Sequence, residues 1–262
     1  MTYFGFLLRF LVLPILALLV MTWLDWRARR PLRGFDAGRI AFGIGLHVLL
    51  AVVYTTPWDN YLVATGVWSY NPALVTGIVF GYVPLEEYTF FVLETILAGL
   101  WWIFLARRMS APSEFKPSTT GRITAAGLLV AAWVWSAVTF FGGDPSLTYL
   151  PITLFWALPA LFPQLLFGAD ILWHHRRLVA AAILPLGAYL SLMDILALKA
   201  TTWSISPAQT TGVLFFGILP LEEVVFFFIT NVLIGFGMTL MLSELGWRRL
   251  QDWKLKRFKG LP

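Results

Sequence analysis

The residues best able to do chemistry are two glutamate pairs in apolar surroundings. Phe-Gly-Tyr-Val-Pro-Leu-Glu-Glu-Tyr-Thr-Phe-Phe, from Phe80 to Phe91, returns as Phe-Gly-Ile-Leu-Pro-Leu-Glu-Glu-Val-Val-Phe-Phe from Phe216 to Phe227, identical at eight of twelve positions. Each copy sets a pair, Glu86 with Glu87 or Glu222 with Glu223, in a run that belongs in a lipid bilayer. A carboxyl group there is costly and therefore marks function by default. A neutral carboxylic acid in a dry pocket is a potential proton donor. The plainer alternative is an acidic first turn on a helix interrupted by Pro84 or Pro220, which the helix dipole favours.

Neighbouring helical positions point about 100° apart, so the two glutamates of a pair cannot face one point equally. Glu86, Phe90 and Glu94 share one helix face, and Glu222, Phe226 and Thr230 share the corresponding one. Glu94 thus has no acidic counterpart, and its alternatives are one-sided participation or a hydrogen bond to a neighbouring helix. Phe90, Phe91, Phe226 and Phe227 follow the acids at fixed spacing. An acid beside aromatic faces offers a proton and a π-surface for the resulting cation, although plain packing gives the same pairing. Upstream, Asp59 and Trp68 are nine residues apart, as are Asp194 and Trp203; Asp59 precedes Glu86 by 27 residues and Asp194 precedes Glu222 by 28. The outer segments around Thr55–Pro72 and Leu198–Gly212 read either as interfacial loops with capping aspartates or as a polar lid over the acids.

The elements that position these groups are membrane helices. The chain of 262 residues is 59% hydrophobic and 13% charged, with mean hydropathy +0.77, against about 25% charge in soluble domains. Runs of spanning length lie near 3–23, 38–54, 78–105, 122–142, 149–168, 177–197 and 213–240. Pro84 and Pro220 are expected to break the third and seventh into a short outer piece and a full inner helix. Seventeen of the 19 lysines and arginines fall in the loops after helices 1, 3 and 5 and in the tail. The positive-inside rule then places the N-terminus outside and the C-terminus in the cytoplasm, as seven helices require. The first helix lacks a basic leading region and reads as a retained span rather than a signal peptide. Trp23, Trp26, Trp247 and Trp253 suit an interfacial belt. The expected fold is an all-α polytopic membrane protein: two parallel three-helix repeats, 1–110 and 147–262, joined by 111–146 with helix 4.

Several chemistries are excluded or disfavoured. Without cysteine there is no thiol catalysis, and three histidines, His47, His174 and His175, make a metal site unexpected. No dinucleotide or phosphate-binding loop is present, helix 7 has no lysine for a retinal Schiff base, and paired Asp-rich motifs for Mg²⁺-diphosphate are missing. A proton-coupled transporter would also use buried acids, but the inner helices offer few polar residues for a path. A purely structural membrane protein would not need twin acid pairs.

Pro57-Trp58-Asp59, the doubled Pro-Leu-Glu-Glu-x-x-Phe-Phe at 84–91 and 220–227, and the repeated three-helix unit resemble the lycopene cyclases of the two-subunit carotenoid type, here fused into one chain. The resemblance covers essentially the whole chain. It implies acid-catalysed, non-redox closure of the ψ-end groups of lycopene to β-rings, with C50 carotenoids or ε- and γ-rings as the nearest alternatives. The family pattern, Pro-x-Glu followed by Glu or Gln, points to Glu86 and Glu222 as the stricter positions, with Glu87 and Glu223 in support. Asp59 and Asp194 join the implied catalytic set, although Met193 replaces the first repeat's tryptophan before Asp194. Phe90, Phe91, Phe226, Phe227, Trp68, Trp203 and Glu94 would line the substrate and its cation. No cofactor is expected in the chemical step; a non-catalytic need for reduced flavin or NAD(P)H stays open. The implied partners are a lipid-dissolved carotenoid, the prokaryotic cell membrane and other carotenoid-forming enzymes, with no nucleic acid.

Overall fold

The computed structural model describes residues 1–109 and 114–259, with side chains described as far as Leu255. Among the described residues, seven helices are long and apolar enough to cross a membrane: α1 (Tyr3–Arg27), α2 (Ile40–Ala64), α3 (Leu85–Ala106), α4 (Thr119–Phe141), α5 (Tyr149–His174), α6 (Arg176–Lys199) and α7 (Leu221–Leu242). An eighth helix, α8 (Glu244–Lys259), follows. The protein is an integral membrane protein of the all-α class. α3, α6 and α7 bury most of their surface inside the molecule, whereas α2 and α4 are largely turned outward. The expected boundary at 110/111 lies outside the described residues.

Two expectations are corrected. The outer parts of the third and seventh runs are not helical. Val79–Phe80 (β2) pairs with Val83–Pro84 (β3), and Leu214–Phe215 (β5) pairs with Leu219–Pro220 (β6), each as a tight antiparallel hairpin. Gly81 at φ +67° and Gly217 at φ +68° make the turns, a conformation glycine adopts without steric cost. Pro84 and Pro220 are extended residues at the N-caps of α3 and α7, where a missing N–H costs nothing. The second turn is one residue longer than the first, which absorbs the difference between spacings of 27 and 28. The other correction concerns α2, which runs ten residues past its expected end, through Pro57 to Ala64. Trp58 and Asp59 therefore sit on a helix rather than in a loop, and Asp194 sits on α6.

The loops that follow α2 and α6 meet. Trp68–Tyr70 (β1) pairs antiparallel with Trp203–Ile205 (β4) in the register Trp68↔Ile205, Ser69↔Ser204, Tyr70↔Trp203. The ladder is symmetric about its centre: Asn71 N–H donates to the Thr202 carbonyl, Ser206 N–H to the Val67 carbonyl, and the Ser69 and Ser204 hydroxyls lie 2.8 Å apart.

Prolines inside the spans free carbonyls that lipid cannot satisfy, and side chains from neighbouring helices take three of them. Tyr189 donates to Phe10, four residues before Pro14; Trp133 to Phe155, four before Pro159; and Trp101 to Ala181, four before Pro185. At the end away from the hairpins, Asp25 accepts two hydrogen bonds from Arg108, and Asp170 accepts two from Arg249, at 2.6 and 2.7 Å. The exposed Trp23, Trp26, Trp247 and Trp253 lie on the helices that end there. Asp170→Ala strands the Arg249 guanidinium and should cost about 3 kcal/mol. The expected result is a lower unfolding midpoint in detergent by circular dichroism; an unchanged midpoint would make the clamp energetically idle.

Candidate active site

α3 and α7 each begin with two glutamates, and the four carboxyl groups do two different jobs. Glu86 Oε1 accepts from Thr76 N–H at 2.6 Å, and Glu222 Oε1 accepts from Thr211 N–H at 2.7 Å. Each thus ties the segment ahead of a hairpin to the helix behind it. Both are fully buried, and their second oxygens have no partner among the described residues.

Glu87 and Glu223, about 100° further round their helices, face each other's half. Glu87 Oε2 accepts from the hydroxyls of Tyr3 and Tyr70, the latter at 3.0 Å. Glu223 Oε1 accepts from Tyr149 at 2.7 Å and from the Trp68 indole at 3.1 Å. In each carboxyl group two donors hold one oxygen, and among the described residues no hydrogen bond reaches the other. Burial, with Glu87 beside it, pushes the Tyr70 phenol well above its ordinary range, so it stays a neutral donor at pH 7. Asp194 Oδ1 accepts from the Trp203 indole at 2.8 Å. By matching position Trp68 would serve Asp59, yet it reaches across to Glu223, leaving Asp59 buried without a partner among the described residues.

Glu87, Glu223 and Asp194 line one chamber of about 30 Å³, together with Tyr3, Trp68, Tyr70, Phe90, Trp203, Ile205, Phe226 and Phe227. That is room for about two water molecules. The β1–β4 ladder supplies the donors Trp68, Tyr70 and Trp203, so neither half completes the chamber alone. No lysine or arginine lines it. Three carboxyl groups thus converge with no cation among the lining residues, an arrangement that opposes ionisation of all three together.

A second cavity of about 190 Å³ adjoins the chamber, with Phe226 belonging to both. Glu94, Phe91, Thr230, Tyr54 and Trp156 are among its walls. Glu94 Oε1 accepts from the Thr230 hydroxyl at 2.8 Å, so the acid and its non-acidic counterpart meet directly. Trp58 stacks between Trp156, at 4.6 Å, and Phe226, at 5.3 Å, and Trp68 meets Trp58 and Phe226 edge-on.

The structure therefore brings Glu87, Glu223, Asp194, Phe90, Phe226, Phe227, Trp68 and Trp203 around one space, and Phe91 and Glu94 around the next. It keeps Glu86, Glu222 and Asp59 out of both linings. Tyr3, Tyr149, Trp58 and Trp156 were not among the expected site residues. A tyrosine at the start of a span reads as an interfacial anchor, and Tyr3 and Tyr149 precede their glutamates by unequal distances, 84 and 74 residues. Matching both to the starts of the first and fifth spans is the signal that could have found them.

The chain is 39% identical over 221 residues to the lycopene beta-cyclase of Halobacterium salinarum, covering 81% of this chain and 87% of that protein. The chain belongs to the lycopene beta-cyclase family. It is also 33% identical over 205 residues to the bifunctional lycopene cyclase/phytoene synthase of Podospora anserina, and 32% over 220 residues to that of Gibberella fujikuroi, covering 34% and 37% of those proteins. No family model matches the chain, and no solved structure does. Within this family, removing one donor from the chamber should weaken a hydrogen bond to a charged or proton-sharing carboxyl, worth about 1.5–3 kcal/mol. Tyr149→Phe and Trp68→Phe are each expected to slow cyclisation by about ten- to a hundredfold, measured as initial rates in lipid vesicles at matched protein amounts. Rates within twofold of wild type would show those donors to be dispensable.

Proposed function

We propose that this protein is a lycopene cyclase that closes the ψ-end groups of lycopene to β-rings by acid catalysis at the shared chamber. The observation that carries the reading is the convergence of Glu87, Glu223 and Asp194, buried with no cation among the lining residues, beside a wall of aromatic rings. A proton passes from the chamber to C2 of the terminal double bond. The C1 cation is attacked by the C5=C6 bond, and loss of a proton restores a double bond in the ring. Electrons balance without an oxidant or reductant, so no electron carrier enters the step. Trp68, Phe90 and Phe226, which line the chamber, offer aromatic surface to the cation, and the surrounding rings keep water from quenching it.

Glu87 and Glu223 are the proton-handling pair on this reading, each with one oxygen fixed and one free. Glu86 and Glu222, the family's stricter positions, build the frame by tying each hairpin to its helix. The halves act as parallel three-helix repeats about an axis along the membrane normal, a reading supported by the symmetric ladder register. The basic loops support an outside N-terminus and a cytoplasmic C-terminus, which sets the chamber toward the outer leaflet. The substrate enters sideways from lipid.

Pigment analysis by HPLC in a lycopene-accumulating host tests the assignment. Wild type is expected to give cyclic carotenoid. Glu87→Gln and Glu223→Gln should each lower conversion by about a hundredfold, and the double variant should abolish it. Glu86→Gln and Glu222→Gln keep an acceptor for the Thr76 and Thr211 amides and should lose less. Single variants at half the wild-type rate would mean two independent sites. Purified protein in vesicles is expected to turn over without added flavin or NAD(P)H; an absolute requirement for either would overturn the cofactor-free reading.

A further inference from the structure

Two hydrogen bonds at matching places mark two grooves. Tyr54 donates to the Trp156 carbonyl at 2.7 Å, and Tyr189 donates to the Phe10 carbonyl at 3.0 Å. Beside the first bond is the 190 Å³ cavity between α2, α3, α5 and α7; beside the second is an apolar groove of about 350 Å³ between α1, α3 and α6. The grooves differ in two respects. The first shares Phe226 with the acidic chamber, whereas the second shares no lining residue with it. The first contains the carboxyl group of Glu94; the second, lined by Pro14, Ala17, Leu97, Trp101, Leu186 and Tyr189 among others, has no carboxyl or basic side chain among its lining residues.

A branched ten-carbon end group does not fit a chamber with room for two waters. The larger space lies beside the chamber, in the 190 Å³ groove whose near wall is Phe226. There Glu94 would stand on its wall, with the chamber acids beyond the shared Phe226. Glu94 lies seven residues beyond Glu87 on α3, two turns on the same side and about 10 Å along the axis. Its Oε1 is held by Thr230, and no hydrogen bond among the described residues reaches its Oε2. C2, which gains a proton, is bonded to C1 from the start, and C6, which loses one in forming a β-ring, becomes bonded to C1 on closure, so the two proton transfers take place at two different carbons of one small fragment.

We propose, resting on the cyclase reading above, that the groove beside Phe226 is the productive seat of the end group and that Glu94 is the base that removes the ring proton and thereby selects the β-ring. The O–H bond of a chamber acid breaks as the C2–H bond forms. The C5=C6 pair forms the C1–C6 bond, leaving the cation at C5. The C6–H bond then breaks, its electrons restore C5=C6, and the proton goes to Glu94 Oε2. Each closure leaves the chamber one proton poorer and Glu94 one richer; release of one and uptake of the other reset the protein with no net change. Glu94 and its counterpart Thr230 both line the first groove, and no carboxyl group is among the lining residues of the second. Removal of a C4 proton instead gives an ε-ring, and removal of a methyl proton gives a γ-ring, so the position of the base decides the product.

The test compares end groups by HPLC and mass spectrometry in the lycopene-accumulating host, normalised to protein in the membrane. Glu94→Gln is expected to lower β-ring formation by at least about tenfold and to move the residual product toward ε- or γ-rings. Thr230→Val, which frees the carboxyl but keeps it, is expected to change the ring ratio with a smaller loss. Ala51→Trp fills the first groove and should stop conversion; Ala17→Trp fills the second and should leave it. Wild-type amounts of pure β-ring from Glu94→Gln would overturn the base. Conversion blocked by Ala17→Trp but not by Ala51→Trp would overturn the choice of groove, independently of whether Glu94→Gln accumulates. Absence of any cyclic product from the wild type would instead sink the cyclase reading itself.

Discussion

A carboxyl group taken out of water must find hydrogen-bond donors, and in a bilayer those donors have to be built into the protein. The architecture at the chamber end answers this one demand. Glu87 and Glu223 have no lysine or arginine among the chamber's lining residues and draw on Tyr3, Tyr70, Tyr149 and Trp68. Two of those four belong to the starts of α1 and α5, and two belong to β1. The short ladder between the loops of the two halves therefore does more than close the molecule: it delivers a second donor to Glu87 and to Glu223 and the Trp203 indole to Asp194. Neutral donors also suit the chemistry, because a buried cation would hold the carboxyl groups ionised and remove the proton that has to be given away.

The division of labour within each Glu-Glu pair follows from helix geometry. At the first turn of a helix, one position points back toward the preceding chain and the next points sideways. The first glutamate captures an amide of the incoming loop, as N-terminal acids commonly do, and the second is left facing the neighbouring half. The cap reading thus holds for Glu86 and Glu222, and the functional reading is proposed for Glu87 and Glu223.

Much of this is legible in the sequence. Seven spans, the basic loops and the recurrence of Pro-Leu-Glu-Glu follow from hydropathy, charge and self-similarity, and Phe226 and Trp68 were visible through spacing. The hairpins were not, because Phe-Gly-x-x-Pro inside an apolar run has the hydropathy of a helix; only the positive-φ glycine and the extended residue before proline argue otherwise. Asp59 was misplaced because Pro57 reads as a helix stop, whereas the bilayer makes continuing the helix the cheapest way to satisfy the backbone. The tyrosines of α1 and α5 were hidden because an aromatic at a span's end has an ordinary explanation. Which glutamate of a pair faces the chamber is a matter of rotation about the helix axis, and no sequence pattern fixed it.

The duplicated halves are also unequal where chemistry needs them to be. Thr230 faces Glu94, Ile205 stands where Tyr70 stands in the first half, and Trp68 crosses over while Trp203 does not. On the proposed reading the repeated frame supplies the walls, and its departures supply a direction: a proton in at one side of the end group and out at the other. The most direct measurement of that claim is conversion of lycopene by the purified protein in vesicles prepared in deuterated water, with the product read by mass spectrometry. An acid exchanging with solvent and delivering its proton to C2 predicts one deuterium retained in every ring formed. Rings formed without label would contradict it, because the proton would then have come from the substrate itself and the chamber would not be its source.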